Sequence, residues 1–214
     1  MKIISKKPLE YVKAVRNAVS ESDIILLDNS FPCILECNEL RFGTLNDGSI
    51  QEYISTLEQI IEITSESEII FLIREIYQQV INSYNITRRV LNWERNRIDT
   101  TILNAYLTIY SSLIFTYNNH IYKPDDLRTY ETITKNLWDI DDTFNLRKVN
   151  HKDDGFADGK LVAAAVYEAT KGRKTSIITT DGDIGRLLIP TKKLDREKIV
   201  VYKRLDSGIY INTY

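Results

Sequence analysis

Residues 158–188, DGKLVAAAVYEATKGRKTSIITTDGDIGRLL, constrain the fold more than any other stretch. Asp158 stands where a helix N-cap is expected, and Leu161, Val162, Ala165, Val166 and Ala169 follow at helical spacing. Gly172 comes just after the last periodic residue, in the position of a C-cap. Ser176 to Thr180 then reads as a short buried strand rich in β-branched residues. It ends in Asp181-Gly182-Asp183, and a second helical run starts at Ile184. A helix that feeds a parallel strand runs antiparallel to it, so the helix starts at the edge where the strand ends. Asp158, Asp181 and Asp183 are therefore expected together at the carboxyl edge of a sheet, where open parallel sheets place their sites.

The rest of the chain repeats this alternation. A helix is predicted from Pro8 with Leu9, Val12, Val15 and Val19 on one face, and Ile24-Ile25-Leu26-Leu27 is a strand ending in Asp28-Asn29-Ser30. Asn46 to Ser49 reads as a loop, Ile50 to Thr64 as a helix, Glu68 to Ile73 as a strand with Glu75 just beyond, and Ile76 onward as helix. From about 88 to 150 no strand intervenes. Ile102, Tyr106, Ile109 and Leu113 share a stripe, and Pro124-Asp125-Asp126 opens a further helix. We read 88–150 as an α-helical insertion within one domain spanning 1–214. Ile199 to Tyr202 is a strand, and Asp206-Ser207-Gly208 turns into a closing hairpin.

Composition narrows the function classes. Hydrophobic residues make 43% and charged residues 27% of 214, the balance of an ordinary globular protein. Net charge is −2, so any nucleic-acid contact must use a local basic patch. Cys33 and Cys37, four apart in a predicted helix, are too few for a disulfide framework and suit a reducing compartment. The opening MKIISKKPLEYVK has no apolar leader core, and the run 105–117 is too short and polar to span a bilayer. A cytoplasmic location without a membrane partner is expected.

Five acids thus fall at strand ends or at the helix start between them: Asp28, Glu75, Asp158, Asp181 and Asp183. No Gly-x-Ser-x-Gly, Walker or dinucleotide fingerprint competes with them. Five carboxylates in one pocket repel unless a cation neutralises them. Oxygen-only ligands point to Mg²⁺ or Mn²⁺ rather than zinc. Metal-assisted hydrolysis of a phosphodiester is the chemistry that follows. The plainer alternative is that each acid caps or complements its helix, worth about 1 kcal/mol apiece.

Three motifs resemble those of the PIN-domain nucleases: Asp28-Asn29-Ser30 after an apolar strand, Phe156 to Ala165 with an Asp ahead of an Ala-rich face, and Ile177 to Ile184 as the closing strand and acids. Glu75, in Phe71 to Ile76, matches the family's mid-chain Glu. The resemblance covers 24–87 and 151–203. It implies a three-layer α/β/α sandwich around a mostly parallel sheet, and Mg²⁺- or Mn²⁺-dependent endoribonuclease activity on single-stranded RNA. Asp28, Glu75, Asp158 and Asp181 would be its metal acids, with Asp183 as neighbour or substitute and Ser30 and Thr179 as polar supports. Some twenty residues before the first strand and the larger helical insertion depart from the small toxin members.

Substrate contacts are expected from Lys160, in the first turn beyond Asp158, and from the patch around Arg88 and Arg89 that continues through Trp93, Arg95 and Arg97. Lys192, Lys193, Arg196, Lys198, Lys203 and Arg204 form a second basic cluster. Either patch also reads as a solvated face. A non-catalytic RNA- or protein-binding scaffold on the same fold is the competing reading, with a homo-oligomer or inhibitory protein docking on the insertion. A phosphatase or phosphorelay receiver needs a Lys on a later strand end, and Lys160 falls in a helix instead.

Overall fold

A computed structural model describes residues 2–4, 8–30, 47–93, 100–143, 156–179, 184, 187, 199–205 and 208–213. Its elements in chain order are β1 (Lys2–Ile4), α1 (Pro8–Glu21), β2 (Ile24–Leu27), α2 (Asp47–Ser65), β3 (Ile70–Phe71) and α3 (Arg74–Trp93). There follow α4 (Thr100–Tyr117), α5 (Leu127–Thr143), α6 (Ala157–Thr170), β4 (Thr175–Thr179), β5 (Ile199–Leu205) and β6 (Gly208–Thr213). The protein is a mixed α/β structure with one six-stranded sheet in the order β1-β6-β5-β4-β2-β3. Strands β3, β2, β4 and β5 run parallel. β6 pairs antiparallel with both β5 and β1.

The neighbouring strands β2 and β4 are buried on both faces. Ile24 to Leu27 and Thr175 to Thr179 are buried without a break, as strands covered on both sides must be. β3 is shorter than the expected 68–73, because only Ile25 and Leu26 of β2 find partners in it. Its outer side is covered: Leu72 bridges Ile121, and Tyr122 N–H donates to Leu72 O at 2.8 Å. That contact shields an edge whose backbone groups would otherwise stay unpaired. β1 was not legible in the sequence, since three residues make a strand only by pairing with distant β6. The β5–β6 hairpin lies where the turn at 206–208 is predicted.

Helix α2 begins at Asp47, not Ile50, so Asp47-Gly48-Ser49 belongs to the helix rather than to a loop. Helix α3 continues unbroken past residue 88, where the insertion was expected to begin. Helices α4 and α5 and the segment between them share one hydrophobic core with the sheet, through Tyr106, Ile109, Tyr110, Leu113, Tyr117, Tyr122 and Leu137. α4 packs on α2 and α3, while α5 lies against α6. Helix α6 is the centre of the molecule. Leu161 to Ala169 are buried in succession, because it is enclosed by the sheet, by α3 and by α5. Ala163, Ala164 and Ala165 lack the bulk that would hold those neighbours apart. Cys33, Cys37, His151 and the cluster from Lys192 to Lys198 lie outside the described residues.

Three phenols tie this packing together. Tyr117 donates to Thr64 O at 2.8 Å, Tyr122 to Glu168 Oε1 at 2.6 Å and Tyr130 to Lys160 O at 3.2 Å. Burial holds all three phenols above the ordinary tyrosine value; the Glu168 carboxylate adds to the effect at Tyr122, and the Glu75 charge helps push Tyr130 up to about 12. A raised pKa on a group that is neutral when protonated stabilises the fold below the unfolded value, about 10, and that stability is lost as pH rises through the folded values. Thermal stability should therefore fall between about pH 10 and 12. In ultraviolet titration at least these three of the 13 tyrosines should ionise only as the protein unfolds. Simple ionisation of every tyrosine in the folded state would contradict this.

Candidate functional site

Strands β2 and β4 are neighbours, yet the chain leaves them in opposite directions along the sheet, β2 toward β3 and β4 toward β5. This is a topological switch point, where two loops part and leave a crevice at the carboxyl ends of the strands. Asp28 stands at that point. Its backbone N–H donates to Ile178 O at 3.0 Å, so it extends the ladder by one residue. Its side chain is 4% exposed. Oδ2 accepts hydrogen bonds from Thr179 Oγ1 at 2.7 Å and from the Ser30 hydroxyl. The two hydroxyl oxygens are themselves 3.1 Å apart. The two neighbouring strand ends thus meet in a buried triangle of one carboxylate and two hydroxyls. Burying a carboxylate costs several kcal/mol unless it is hydrogen-bonded, and the two hydroxyls reduce that cost.

Asp158 enters from α6. The helix of 14 residues is about 21 Å long at about 1.5 Å per residue, against about 16 Å for the five residues of β4. Running back along β4, it brings its first turn to the strand's carboxyl end. Asp158 lies inside that first turn, half-buried. It is not the N-cap that the sequence pattern predicts. The cap is Phe156, in the left-handed region at φ 59°, ψ 44°, with no side-chain capping bond. A capping residue needs a non-helical backbone, and Asp158 is already helical; its charge favours the positive end of the helix dipole instead.

Glu75, in the first turn of α3, forms an ion pair with Lys160 Nζ at 2.6 Å. Both side chains are about a third exposed, so the pair contributes little stability but fixes two helix starts against each other. α3 starts just after β3, which runs parallel to β2, so this pair stands at the same carboxyl edge of the sheet as Asp28.

The structure therefore gathers Asp28, Ser30 and Thr179 into one cluster, and Glu75 with Lys160 into another. Asp181 and Asp183 lie outside the described residues. Among the described residues no three His, Cys, Asp or Glu side chains are grouped to hold a metal ion. The donor set at the switch point is nonetheless all oxygen, a carboxylate backed by two hydroxyls. That suits a hard cation if the acids after β4 complete it. Arg88 and Arg89 are exposed on α3 more than three turns beyond Glu75, about 20 Å along the axis. They are not part of this rim. Lys203 and Arg204 belong to β5, and the side chain of Trp93 lies outside the described residues.

What the sequence reading missed is a groove beside the Glu75–Lys160 pair, of about 500 Å³. Helix α5 forms its far wall with Leu127, Tyr130, Lys135 and Trp138, while Arg74 flanks Glu75. The available signal was Asp126, whose Oδ1 accepts from the backbone N–H of Arg128 at 3.1 Å and of Thr129 at 3.2 Å. This true N-cap fixes where α5 starts, and hence that Tyr130 and Trp138 share a side.

The opposite end of α6 is anchored by charge. Glu168 is 3% exposed and accepts from Tyr122. Arg173 Nη1 stands 3.0 Å from its Oε2, off the line of a hydrogen bond, so that contact is an ion pair. Lys171 Nζ is 3.8 Å from Oε1, contacts Asp125 and lies 4.3 Å above the Tyr167 ring. The Lys171 and Tyr167 donors hold the Asp125 carboxyl far below its usual range.

No family model, curated protein or solved structure matches the chain. Among the described residues no helix is long and apolar enough to cross a membrane.

Proposed function

We propose that the protein is a metal-dependent endoribonuclease that hydrolyses single-stranded RNA at the carboxyl edge between β2 and β4, on a PIN-like three-layer sandwich. The handedness of crossovers supports the layering. The β1-to-β2 and β2-to-β3 connections move one way along the sheet, the β3-to-β4 and β4-to-β5 connections the other. Right-handed crossovers then put α1 and α2 on one face and α6 on the other. Contacts between α1 and α2, and between α6 and β4, β2 and β5, fit that assignment.

The observation that carries the reading is the buried Asp28 at the switch point, locked by Ser30 and Thr179. A carboxylate buried at a sheet edge, with polar supports from the neighbouring strand, contributes less to stability than an apolar residue of its size would. In our reading Asp28, Asp158, Asp181 and Asp183 hold Mg²⁺ or Mn²⁺, and Ser30 and Thr179 fix the Asp28 rotamer. The bound ion would lower the pKa of an attacking water and stabilise charge on the phosphoryl oxygens. Glu75 serves by orienting Lys160, whose ammonium carries three donors and so can meet a phosphate while still paired.

The Glu75–Lys160 pair also favours a second reading, a non-catalytic RNA- or protein-binding scaffold, since it neutralises one of the acids internally. One experiment separates the two. Purified protein should cleave unstructured RNA with Mn²⁺ or Mg²⁺, not with a chelator, and Asp158→Asn should abolish cleavage while the circular dichroism spectrum stays unchanged. Metal-independent cleavage, or full activity in Asp158→Asn, rejects the nuclease. Binding without cleavage under every metal condition supports the scaffold.

A further inference from the structure

The groove between α5 and the start of α6 is built around one tryptophan. Trp138 is 40% exposed and Leu127 58%, an unusual pair of apolar side chains to leave open on the wall of a depression. Trp138 is held from behind. The Phe156 ring meets it at a centroid distance of 4.9 Å and an interplanar angle of 74°. Phe156 in turn folds over Gly159: a Cβ at Gly159 would lie 1.9 Å from Phe156 Cε1, so only glycine allows that ring position. Phe156 holds an αL backbone, which L-residues disfavour because Cβ crowds the following carbonyl. Such strain concentrates where a site must be held ready. Here it connects the orientation of an exposed indole to the helix turn that carries Asp158 and Lys160.

The rest of the lining fits a nucleotide. Arg74, Lys135 and Lys160 bring three cations against the two acids Glu75 and Glu131. The volume, about 500 Å³, admits one base with its sugar and phosphate. An aromatic face beside cations is how single strands are held without sequence preference, by stacking and phosphate contact.

We propose that this groove is a nucleotide subsite, taking one unpaired base of single-stranded RNA against Trp138 and the adjoining phosphate against Lys160. The subsite rests on the RNA reading above, but it is tested without catalysis. Trp93→Phe leaves Trp138 as the sole indole of the chain's two. In that background and in chelator, a ten-residue oligouridine should quench the fluorescence saturably. Trp138→Ala should weaken binding, followed by anisotropy of labelled RNA, by about five- to a hundredfold. Trp138→Phe should keep most of the affinity, and Lys160→Ala should lower the salt slope by about one ion.

Equal binding by Trp138→Ala, or quenching that duplex RNA matches, overturns the subsite. No binding of RNA at all overturns both it and the nuclease. If the wild type cuts RNA while Trp138→Ala binds and cuts unchanged, the subsite falls and the nuclease stands. If oligouridine quenches Trp138 but nothing is cut with Mn²⁺, the subsite stands and the nuclease falls.

Discussion

Asp28→Asn is expected to lower RNA cleavage by at least about a hundredfold while leaving the melting temperature unchanged or higher. The loss follows from removing one negative charge where charge must be complementary to the transition state, an effect of about 10²–10³ for a single preorganised group. Retention of the fold follows from the local geometry. The amide oxygen of Asn still accepts from Thr179 Oγ1 and the Ser30 hydroxyl, and a neutral group costs less to bury at 4% exposure. Activity and stability should thus move apart, as they do where a site is kept at a cost to the fold. Cleavage assays paired with thermal melts decide it. A variant that melts much lower and cuts at the wild-type rate would show Asp28 to be structural.

The second large effect is on stability. Lys171→Ala combined with Arg173→Ala should destabilise the protein by about 2–4 kcal/mol, lowering Tm by roughly 5–12 °C. Glu168, 3% exposed, would then be left with only the Tyr122 hydroxyl beside it. A fully buried pair broken from one side costs about 3–5 kcal/mol; Arg173 is half-exposed, which reduces the figure. Adding Glu168→Gln should recover part of the loss, because Gln carries no charge and still accepts from Tyr122. Failure of that third change to rescue would mean the basic side chains act by packing rather than by charge. Since α6 carries Asp158 and Lys160 at its other end, loosening this anchor should also weaken RNA binding.

Periodicity placed α1, β2, α6, β4 and the start of α3 to within a few residues, because each is long or apolar enough to declare itself locally. The apolar run from Ile24 to Leu27 also fixes where β2 ends. Asp28 could be placed at a strand end on that basis. The capping of α6 could not. Asp158 has the right residue type for a cap, but the choice of Phe156 depends on Trp138, Gly159 and a ring contact made 18 residues away in sequence, from 138 to 156. The partner of Glu75 was equally hidden, being a lysine 85 residues further on.

Read alone, the sequence determined an α/β chain with acids at its strand ends, because hydrophobic period and turn chemistry act over a few residues and are written in order. Tertiary structure alone decided that β2 and β4 are adjacent with diverging exits, that Glu75 meets Lys160, and that α5 walls a groove beside them. Those facts depend on side chains brought together across long separations, where burial and charge pairing choose among arrangements that local pattern leaves equal.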